Sequence, residues 1–342
     1  MKQAIMKKPG EITFHEVEKP AVTGKQVLIK IMRIGVCGSD IHVYHGKHPF
    51  TPYPVVQGHE VSGEIVETGA DAGEFKPGDK VTIRPQVVCG KCYHCRHGDY
   101  HICENLKVMG FQTTGMASEY FAVDSDKVYK LPEGVSFDHG AMIEPLAVAV
   151  HALGKGGSVK GKKVLVLGAG TIGNLVAQAA KGFAAESVMI TEVSDYRLDI
   201  AKETGIDYCV NSKTEDLNQQ LLEHFGGDRA DLILECVGIS TTMNQAIHYA
   251  RKGTDIIVVG VFGDKGSIEM ALVQDRELNL KGTLMYKDED YKKAIELLKD
   301  KKINLEPLIS NHFKFDNYLD AYHYIDKQKD KSMKVIIDVG EE

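Results

Sequence analysis

The chain has 342 residues, which is long for a single hydrophobic core and sufficient for two domains. Its composition, 43% hydrophobic and 26% charged, is typical of a globular protein. A formal net charge of −7 without a basic block argues against nucleic acid as the main partner. No apolar run reaches membrane-spanning length, and the opening Met-Lys-Gln-Ala-Ile-Met-Lys-Lys is too quickly interrupted for a signal peptide. We therefore expect a cytoplasmic protein with no membrane partner.

The first part of the chain favours an antiparallel, β-rich domain. Apolar and polar residues alternate in residues 26–34, as they do in the strands of a partly exposed sheet. Short β-like runs follow at Val61 to Thr68 and Lys80 to Ile83, separated by turn signals such as Lys76-Pro-Gly-Asp. Around residues 138–151 the pattern becomes helical, and we interpret this stretch as a connector.

After the glycine-rich residues 154–161, strand and helix patterns alternate. The expected strands are Val164–Leu167, Ser187–Thr191, Tyr208–Val210, Leu232–Glu235, Ile256–Gly260 and Leu278–Lys281. Helical patterns between them include Tyr196–Thr204, Asp216–Phe225 and Thr242–Ala250. Six strands with such connections predict an α/β fold with a doubly wound parallel sheet.

The tail contains two further helical patterns and a last strand, Tyr291–Lys299, Asn317–Asp326 and Lys334–Val339. Because a six-stranded sheet is already complete, we assign the tail to the first domain. The expected domains are therefore residues 1–150 together with 287–342, and residues 151–286.

The turn after the first strand of the second domain has the spacing of a dinucleotide-binding loop. Gly168, Gly170 and Gly173 follow the strand, Thr171 and Ile172 lie between the last two glycines, and the chain then becomes helical. The glycines permit a tight turn, close approach of the backbone to a pyrophosphate, and packing of the helix on the strand. Glu192 ends the next strand and can bind both adenosine ribose hydroxyls while repelling a 2′-phosphate. The pattern predicts NAD rather than NADP.

Four of the seven cysteines are concentrated in one short loop. They are Cys89, Cys92, Cys95 and Cys103. Such a cluster is typical of a metal site rather than of a disulfide framework. Four thiolates suit tetrahedral structural zinc with no position open for substrate, although spacing alone leaves an iron–sulfur cluster as the alternative. We expect the neighbouring His94, His97 and His101 to be exposed.

A second set of metal-binding residue types lies in two separated segments. Cys37, Ser39, Asp40 and His42 are in the first segment, and His59-Glu60 is in the second. Cysteine, histidine and carboxylate make a plausible catalytic zinc site, in which the metal lowers the pKa of an alcohol. Ser39 and His42 carry groups that could pass the released proton outward, and Asp40 suits the orientation of a ligand. Core packing of Cys37 and His59 is the alternative that composition and spacing leave open.

Taken together, these residues resemble the medium-chain zinc-dependent alcohol dehydrogenases. The match covers nearly the whole chain and includes Gly35-Val-Cys-Gly-Ser-Asp, Gly58-His-Glu, the four-cysteine lobe and Gly168-Ala-Gly-Thr-Ile-Gly, in the family's order. Residues 143–151, Ile-Glu-Pro-Leu-Ala-Val-Ala-Val-His, are similar to the polyol branch, typified by sorbitol dehydrogenase. The resemblance implies a Rossmann domain plus a discontinuous, β-rich, GroES-like catalytic domain.

The resemblance also implies roles for individual residues. Cys37, His59 and Glu144 would be zinc ligands, with Glu144 binding directly or through a water, and Glu60 would exchange with substrate or water. Helix packing is the alternative for Glu144, whose carboxylate would be stabilised by the dipole at a helix N-terminus. Ser39 and His42 would relay the proton. Arg197 would lie near the adenosine ribose, and a solvated helix arginine is the alternative that the sequence leaves open. Val237, Val259 and Val261 would line the nicotinamide side.

The sequence departs from the sorbitol enzymes directly after His42. Those enzymes have a tyrosine that contacts substrate, whereas this chain has Val43, and Tyr44 comes one place later. We therefore do not carry that substrate contact over, and sorbitol itself is not implied.

The predicted function is hydride transfer between NAD and a secondary alcohol of a polyol or sugar-derived small molecule, in a homodimer or homotetramer. An amino-alcohol or diol dehydrogenase, of the threonine or butanediol kind, is the alternative substrate class. A non-catalytic nucleotide-binding zinc protein is the alternative from a different functional class. The two sets of ligands predict one catalytic and one structural zinc ion per chain, although a different divalent ion at the catalytic site is compatible with the residues.

Overall fold

A computed structural model describes residues 1–263 and 265–341. The strands are β1 Lys2–Lys8, β2 Glu11–Glu16, β3 Gln26–Val36, β4 Glu60–Thr68, β5 Lys80–Ile83, β6 Gln86–Val87, β7 Lys107–Val108, β8 Tyr120–Asp124, β9 Val128–Lys130, β10 Lys163–Leu167, β11 Ser187–Glu192, β12 Tyr208–Asn211, β13 Leu232–Glu235, β14 Asp255–Val258, β15 Asn279–Gly282, β16 Ile309–Lys314 and β17 Lys334–Asp338. The helices are α1 Gly38–Tyr44, α2 Tyr93–Arg96, α3 Phe137–Ala141, α4 Ile143–Lys155, α5 Thr171–Gly182, α6 Asp195–Glu203, α7 Leu217–Phe225, α8 Ser240–Tyr249, α9 Met270–Asp275, α10 Asp288–Lys299 and α11 Tyr318–Gln328. In the described ranges, no helix combines the length and the apolar character needed to cross a bilayer.

The chain forms two compact units. The first contains Met1–Glu144 and the described residues from Ile309 onward, and the second contains Pro145–Leu308. Each unit has its own hydrophobic core.

The first unit is built on a seven-stranded sheet. Its strands run in the order β16-β17-β3-β4-β5-β9, with β8 also paired to β3. The 11-residue β3 has three polar residues, Gln26, Lys30 and Arg33, which are partly exposed, and its other residues are buried under sheet partners and core residues. Antiparallel pairing places Gly35 of β3 opposite Glu60 of β4 and opposite Ile336 of β17. This register brings the end of β3, the start of β4 and the start of β17 to the same part of the unit.

The second unit confirms the predicted doubly wound parallel sheet. Its six strands run in the order β12-β11-β10-β13-β14-β15, and every pair is parallel. β10 reads Lys-Val-Leu-Val-Leu, and its last four residues are fully buried, as expected for a strand covered on both faces. The strand order reverses between β10 and β13, which is where such sheets form their ligand crevice, at the carboxyl ends of the strands.

The boundaries between the units differ from those expected from the sequence. We expected the return to the first domain at residue 287, but α10 belongs to the second unit and the chain returns at Ile309. The physical reason is local packing. Asp290 of α10 accepts a 2.7 Å hydrogen bond from His151 of α4, and the side chain of Leu297 lies against Gly182 at the end of α5. The first change of unit falls at Glu144–Pro145, inside α4, rather than after residue 150.

Candidate active site

Three of the proposed catalytic zinc ligands lie together in the first unit. Cys37 follows β3 directly, and His59 and Glu60 lie at the start of β4, the antiparallel neighbour of β3. One ligand atom from each of the three residues lies within 4.8 Å of the others. His59 and Glu60 are buried, whereas Cys37 is partly exposed. The arrangement therefore gathers a thiol, an imidazole and a carboxylate at one partly accessible point.

Asp40 fixes the orientation of these groups. Its Oδ2 accepts a 3.0 Å hydrogen bond from the backbone N–H of Cys37, and its Oδ1 lies 3.6 Å from His59 Nδ1. Gln57 Nε2 donates to the same Oδ1 at 3.1 Å, and Tyr322 donates to Gln57 Oε1 at 2.9 Å. Burial raises the pKa of the Asp40 carboxyl group. Asp40 thus links the backbone that carries Cys37 to the His59 ring.

The electrostatics around His59 favour a bound cation. Burial by itself lowers the pKa of His59, but Asp40, Cys37 and Glu144 outweigh that effect and raise the pKa to about 10. The same anionic groups that stabilise a proton on the ring attract a divalent ion. The Nδ1 atom of His59 is buried and faces Asp40 Oδ1 at 3.6 Å, without a hydrogen bond to any described residue. The donor set therefore fits zinc held by Cys37 and His59, with a carboxylate nearby.

Glu60 is in contact with a buried lysine, Lys334. Lys334 Nζ lies 2.5 Å from Glu60 Oε2 and donates to the Val36 carbonyl at 3.1 Å. Burial by itself lowers the pKa of Lys334, but the charges of Glu60, Cys37 and Glu144 outweigh it, so the net pKa is raised. Lys334 therefore stays an ammonium group beside the Glu60 carboxylate.

The remaining proposed catalytic residues take different positions around this group. Glu144 is buried in the first turn of α4, outside the group whose ligand atoms lie within 4.8 Å, and its charge reaches His59. Ser39 is half-buried on α1, and His42 is exposed at the other end of the same helix. Helix α1 therefore carries polar groups from Cys37 towards solvent.

The two residues after His42, Val43 and Tyr44, pack within the first unit. Val43 is fully buried, and the Tyr44 hydroxyl lies 3.1 Å from His323 Nε2. The Tyr44 ring packs beside the Tyr322 ring, with centroids 5.4 Å apart. Tyr44 therefore contacts α11 within the first unit.

The four-cysteine lobe has the dimensions of a tetrahedral metal site. Its sulfur atoms lie 3.5 Å apart for Cys89–Cys103, 3.8 Å for Cys92–Cys103 and 4.0 Å for Cys89–Cys95. Zinc–sulfur bonds of about 2.3 Å in a tetrahedron separate sulfurs by about 3.8 Å. Hydrogen bonds from the backbone N–H groups of Lys91 and Cys92 lower the pKa of Cys89 to about 6, whereas burial and the neighbouring cysteines raise the pKa of Cys95 to about 12, so the thiolate is favoured at Cys89 and disfavoured at Cys95 before a metal binds. The lobe fits structural zinc.

The histidines of this lobe do not all behave as expected. His97 is exposed and His94 is half-buried, but His101 is buried in the 3₁₀ turn Tyr100–Ile102. The expectation for His101 was wrong because this turn, which leads directly into Cys103, folds its side chain inward.

The glycine turn of the second unit has the close backbone approach that the motif predicts. Thr171 begins α5, and Ile172 and Gly173 follow in its first turn. A side chain on Gly173 would collide with the carbonyl oxygen of Gly168, so only glycine allows the helix to start this close to β10. The first turn of α5 thus lies at the carboxyl end of β10, where backbone N–H groups can bind a pyrophosphate.

Glu192 and Arg197 lie beside this turn. Glu192 Oε2 accepts a 3.0 Å hydrogen bond from the Ala169 N–H and lies 3.6 Å from Arg197 Nη1. Arg197 also approaches Gly170, since its Nη1 would be 3.9 Å from a Cβ on that glycine. The carboxylate is therefore fixed at the end of β11 by contacts on both sides.

The three valines expected near the nicotinamide lie after β13 and β14. Val237 and Val261 are exposed and Val259 is half-buried. Glu235, the last residue of β13, is fully buried. It accepts hydrogen bonds from Val237 N, Gly238 N and Thr242 Oγ1 at 3.0, 2.9 and 2.6 Å. Glu235 thereby fixes the loop that carries Val237.

Sequence reasoning did not identify Gln57, Lys334, Tyr322 and Glu235. Gln57 adjoins the Gly58-His59-Glu60 segment, and its position next to a proposed ligand was the available signal. Lys334 and Tyr322 carry no comparable signal, because each is far along the chain from the residues it contacts.

Comparisons with known proteins agree with both units. Residues 23–133 match the family model described as alcohol dehydrogenase GroES-like domain, and residues 171–300 match the model described as zinc-binding dehydrogenase.

Individual relatives are similar over almost the whole chain. The sorbitol dehydrogenase of Halalkalibacterium halodurans is 37% identical over 98% of this chain and 99% of its own length. The L-threonine 3-dehydrogenase of Pyrococcus horikoshii is 34% identical over 93% of this chain and 94% of its own. Among solved structures, an alcohol dehydrogenase from Escherichia coli in complex with NADH superposes with a TM-score of 0.91, at 30% identity and 99% coverage of both chains.

We expect Glu192 to determine the choice between NAD and NADP. Replacing Glu192 by alanine removes the negative charge that repels a 2′-phosphate and the acceptor for the ribose hydroxyls. The ratio of kcat/KM for NAD to that for NADP should fall about 10- to 100-fold, the effect of losing charge-assisted hydrogen bonds. Initial rates with each cofactor measure the ratio. The exposed Glu203→Ala variant serves as control and should leave it unchanged; a wild-type preference for NADP would contradict the assignment.

Proposed function

The chain belongs to the polyol branch of the medium-chain zinc-dependent alcohol dehydrogenase family, and on that premise we propose that it oxidises a secondary alcohol of a polyol or sugar-derived substrate with NAD. The observation that carries the proposal is the convergence of Cys37, His59 and Glu60 within 4.8 Å in one unit, in a chain whose other unit has the dinucleotide turn. A metal site alone or a dinucleotide turn alone is compatible with many activities. Their combination is what zinc-dependent hydride transfer from an alcohol requires.

The polyol class is favoured over the alternative substrates by the relative from Halalkalibacterium halodurans and by Glu144 in the polyol-type segment 143–151. The second candidate class is an amino alcohol or a diol, because the Pyrococcus horikoshii relative is an L-threonine dehydrogenase of nearly the same identity. Both classes offer a secondary hydroxyl, so the same metal-binding residues serve either.

In the proposed mechanism, Cys37, His59 and Glu144 would hold the zinc ion, and Glu60 would exchange with substrate or water. When bound, zinc supplies Lewis acidity that lowers the pKa of the substrate hydroxyl, and NAD supplies the hydride acceptor. Asp40 holds the Cys37 backbone and faces the His59 ring, so both donors keep their orientation during turnover. The partial exposure of Cys37 gives the substrate access to this group.

The proton released from the hydroxyl needs a route to water. Ser39 follows Cys37 by two residues and is half-buried, and His42 is exposed one turn later on α1. We assign Ser39 as the inner proton carrier and His42 as the outer one, since hydroxyl and imidazole groups both accept and donate protons. The cysteine lobe would hold the second zinc ion in a structural role, because four thiolates can supply a complete tetrahedral ligand set.

We also propose that the chain acts in the cytoplasm as a homodimer or homotetramer. The cytoplasmic location is supported by the seven cysteines, none of which forms a disulfide, because thiols stay reduced in that compartment. The oligomer is supported by β15, which is an edge strand of its sheet among the described residues. One side of an edge strand offers backbone groups that can pair with a strand of a second copy. Light scattering coupled to size exclusion should give two or four times the chain mass of 37.7 kDa, and a monomer mass would exclude the oligomer.

A substrate panel tests the proposed activity. The chain should reduce NAD in the presence of at least one polyol or sugar alcohol, with or without a phosphate group, as followed by NADH absorbance. L-threonine and 2,3-butanediol should be turned over with lower kcat/KM. Turnover of these two alone would establish the second candidate class, and turnover of none of the compounds would refute the polyol assignment.

Replacing Cys37 by serine should abolish activity while preserving the fold, because the catalytic zinc loses its thiolate ligand. Elemental analysis should give about two zinc ions per wild-type chain and about one in the variant, by counting intact ligand sets. The matched control is Cys209→Ser, a half-buried thiol of β12 in the other unit, which should retain both ions and full activity. Retained activity in Cys37→Ser would contradict the mechanism. Wild-type chain that takes up no zinc at Cys37 and His59 would favour a non-catalytic binding protein.

A further inference from the structure

The first residue of β17 places a buried positive charge beside the proposed zinc ligands. Lys334 is 4% exposed and Glu60 is 1% exposed, so water does not screen the contact between them. Lys334 Nζ lies 2.5 Å from Glu60 Oε2 and 3.1 Å from the carbonyl oxygen of Val36, the residue before Cys37. The ammonium group is therefore tied both to a proposed ligand and to the backbone that carries another.

Three neighbouring strands fix this contact. β17 pairs with β3 so that Val335 is opposite Val36, and β3 pairs with β4 so that Gly35 is opposite Glu60. A side chain on Gly35 would collide with Glu60 Oε2, so the carboxylate lies over the glycine. The missing side chain at Gly35 opens the path by which Glu60 of β4 reaches Lys334, two strands away. The meeting of the two charges is thus built into the sheet register.

Glu60 lies between the Lys334 ammonium group and the proposed metal ligands. Its carboxylate belongs to the group of ligand atoms within 4.8 Å that includes Cys37 and His59. An ammonium group in contact with a carboxylate offsets its charge and weakens its attraction for a second cation, and the effect is strong where water is excluded. Catalytic zinc sites differ from structural ones in keeping one position open for water or substrate.

We propose that Lys334 is a positioning residue that competes with the catalytic zinc for the Glu60 carboxylate and so keeps a coordination position available for the substrate hydroxyl. The inference rests on the zinc site assigned under the proposed function. Without the ammonium group, Glu60 binds the metal more strongly, the ion is held more tightly, and substrate has to displace a carboxylate.

The central test replaces Lys334 by methionine, which keeps the length of the side chain and removes its charge. Zinc affinity of the catalytic site, measured by competition with a chelator, should become about tenfold tighter, because the Glu60 carboxylate is released from the ammonium group and becomes available to the metal. In enzyme loaded with Co²⁺ at this site, the visible absorption should weaken as the ion gains an oxygen ligand. The kcat should fall, and Lys334→Arg should restore part of it by returning the charge.

Two comparisons separate this role from a structural ion pair. In a Glu60→Gln background, Lys334→Met should leave the Co²⁺ spectrum unchanged and tighten zinc binding much less, because only the direct repulsion between Lys334 and the metal is removed and no carboxylate is released. Lys130→Met breaks a different contact in the same unit, between Lys130 Nζ and Asp79 Oδ2 at 3.0 Å, and should change neither quantity. If Lys334→Met does not accumulate as folded protein, Lys334→Gln gives the same comparison while keeping hydrogen-bond donors.

The results can overturn the inference in two ways. Unchanged zinc affinity and Co²⁺ spectrum in Lys334→Met, with only a lower melting temperature, would show that the pair is purely structural. Effects of the same size with and without Glu60 would show that Lys334 does not act through that carboxylate. Failure of the proposed function is distinguished by the wild-type chain, which would then bind no metal at Cys37 and His59 in the same titration.

Discussion

Three carboxylates, those of Asp40, Glu60 and Glu144, are almost entirely removed from water in the first unit, and their desolvation constrains the residues around them. An uncompensated buried charge costs several kcal/mol, and breaking a buried ion pair destabilises a protein by about 3–5 kcal/mol. Asp40 and Glu60 each have a specific counterpart. Asp40 accepts hydrogen bonds from the backbone and from Gln57, and Glu60 pairs with the Lys334 ammonium group. The remaining negative potential falls on His59, where it favours a proton or a divalent ion.

Under the proposed function, this arrangement would make stability and catalysis depend on the same charges. A site with excess negative charge holds zinc well, but a metal whose positions are all filled by protein groups cannot accept a substrate. The Lys334–Glu60 pair stabilises a buried carboxylate, and in the proposed role it would also limit the attraction of that carboxylate for the metal. The cysteine lobe differs from this site. Its four sulfur atoms lie close together within one loop, and none of the contacts described there pairs them with a lysine or arginine.

The cofactor unit depends on a different constraint, the close approach of backbone segments at the carboxyl ends of parallel strands. Gly173 lets α5 start against β10, and the acids that end the two strands on either side of β10 fix loops. Glu192 accepts from Ala169 N, and Glu235 accepts from the N–H groups of Val237 and Gly238. The side chain expected to recognise the ribose is therefore also part of the support for the glycine turn.

The sequence by itself determined the features whose residues are close along the chain. The glycine turn, the buried strand pattern, and the cluster from Cys89 to Cys103 are local, and backbone geometry links such spacing directly to structure. The resemblance to a family added roles for Cys37, His59 and Glu144 that spacing alone left open. Only the tertiary structure decided that α10 packs on the second unit, that His101 is buried, and that Lys334 meets Glu60 across 274 residues. The reason is that strand register and helix docking bring distant residues together, and neither is encoded in the periodicity of a single segment.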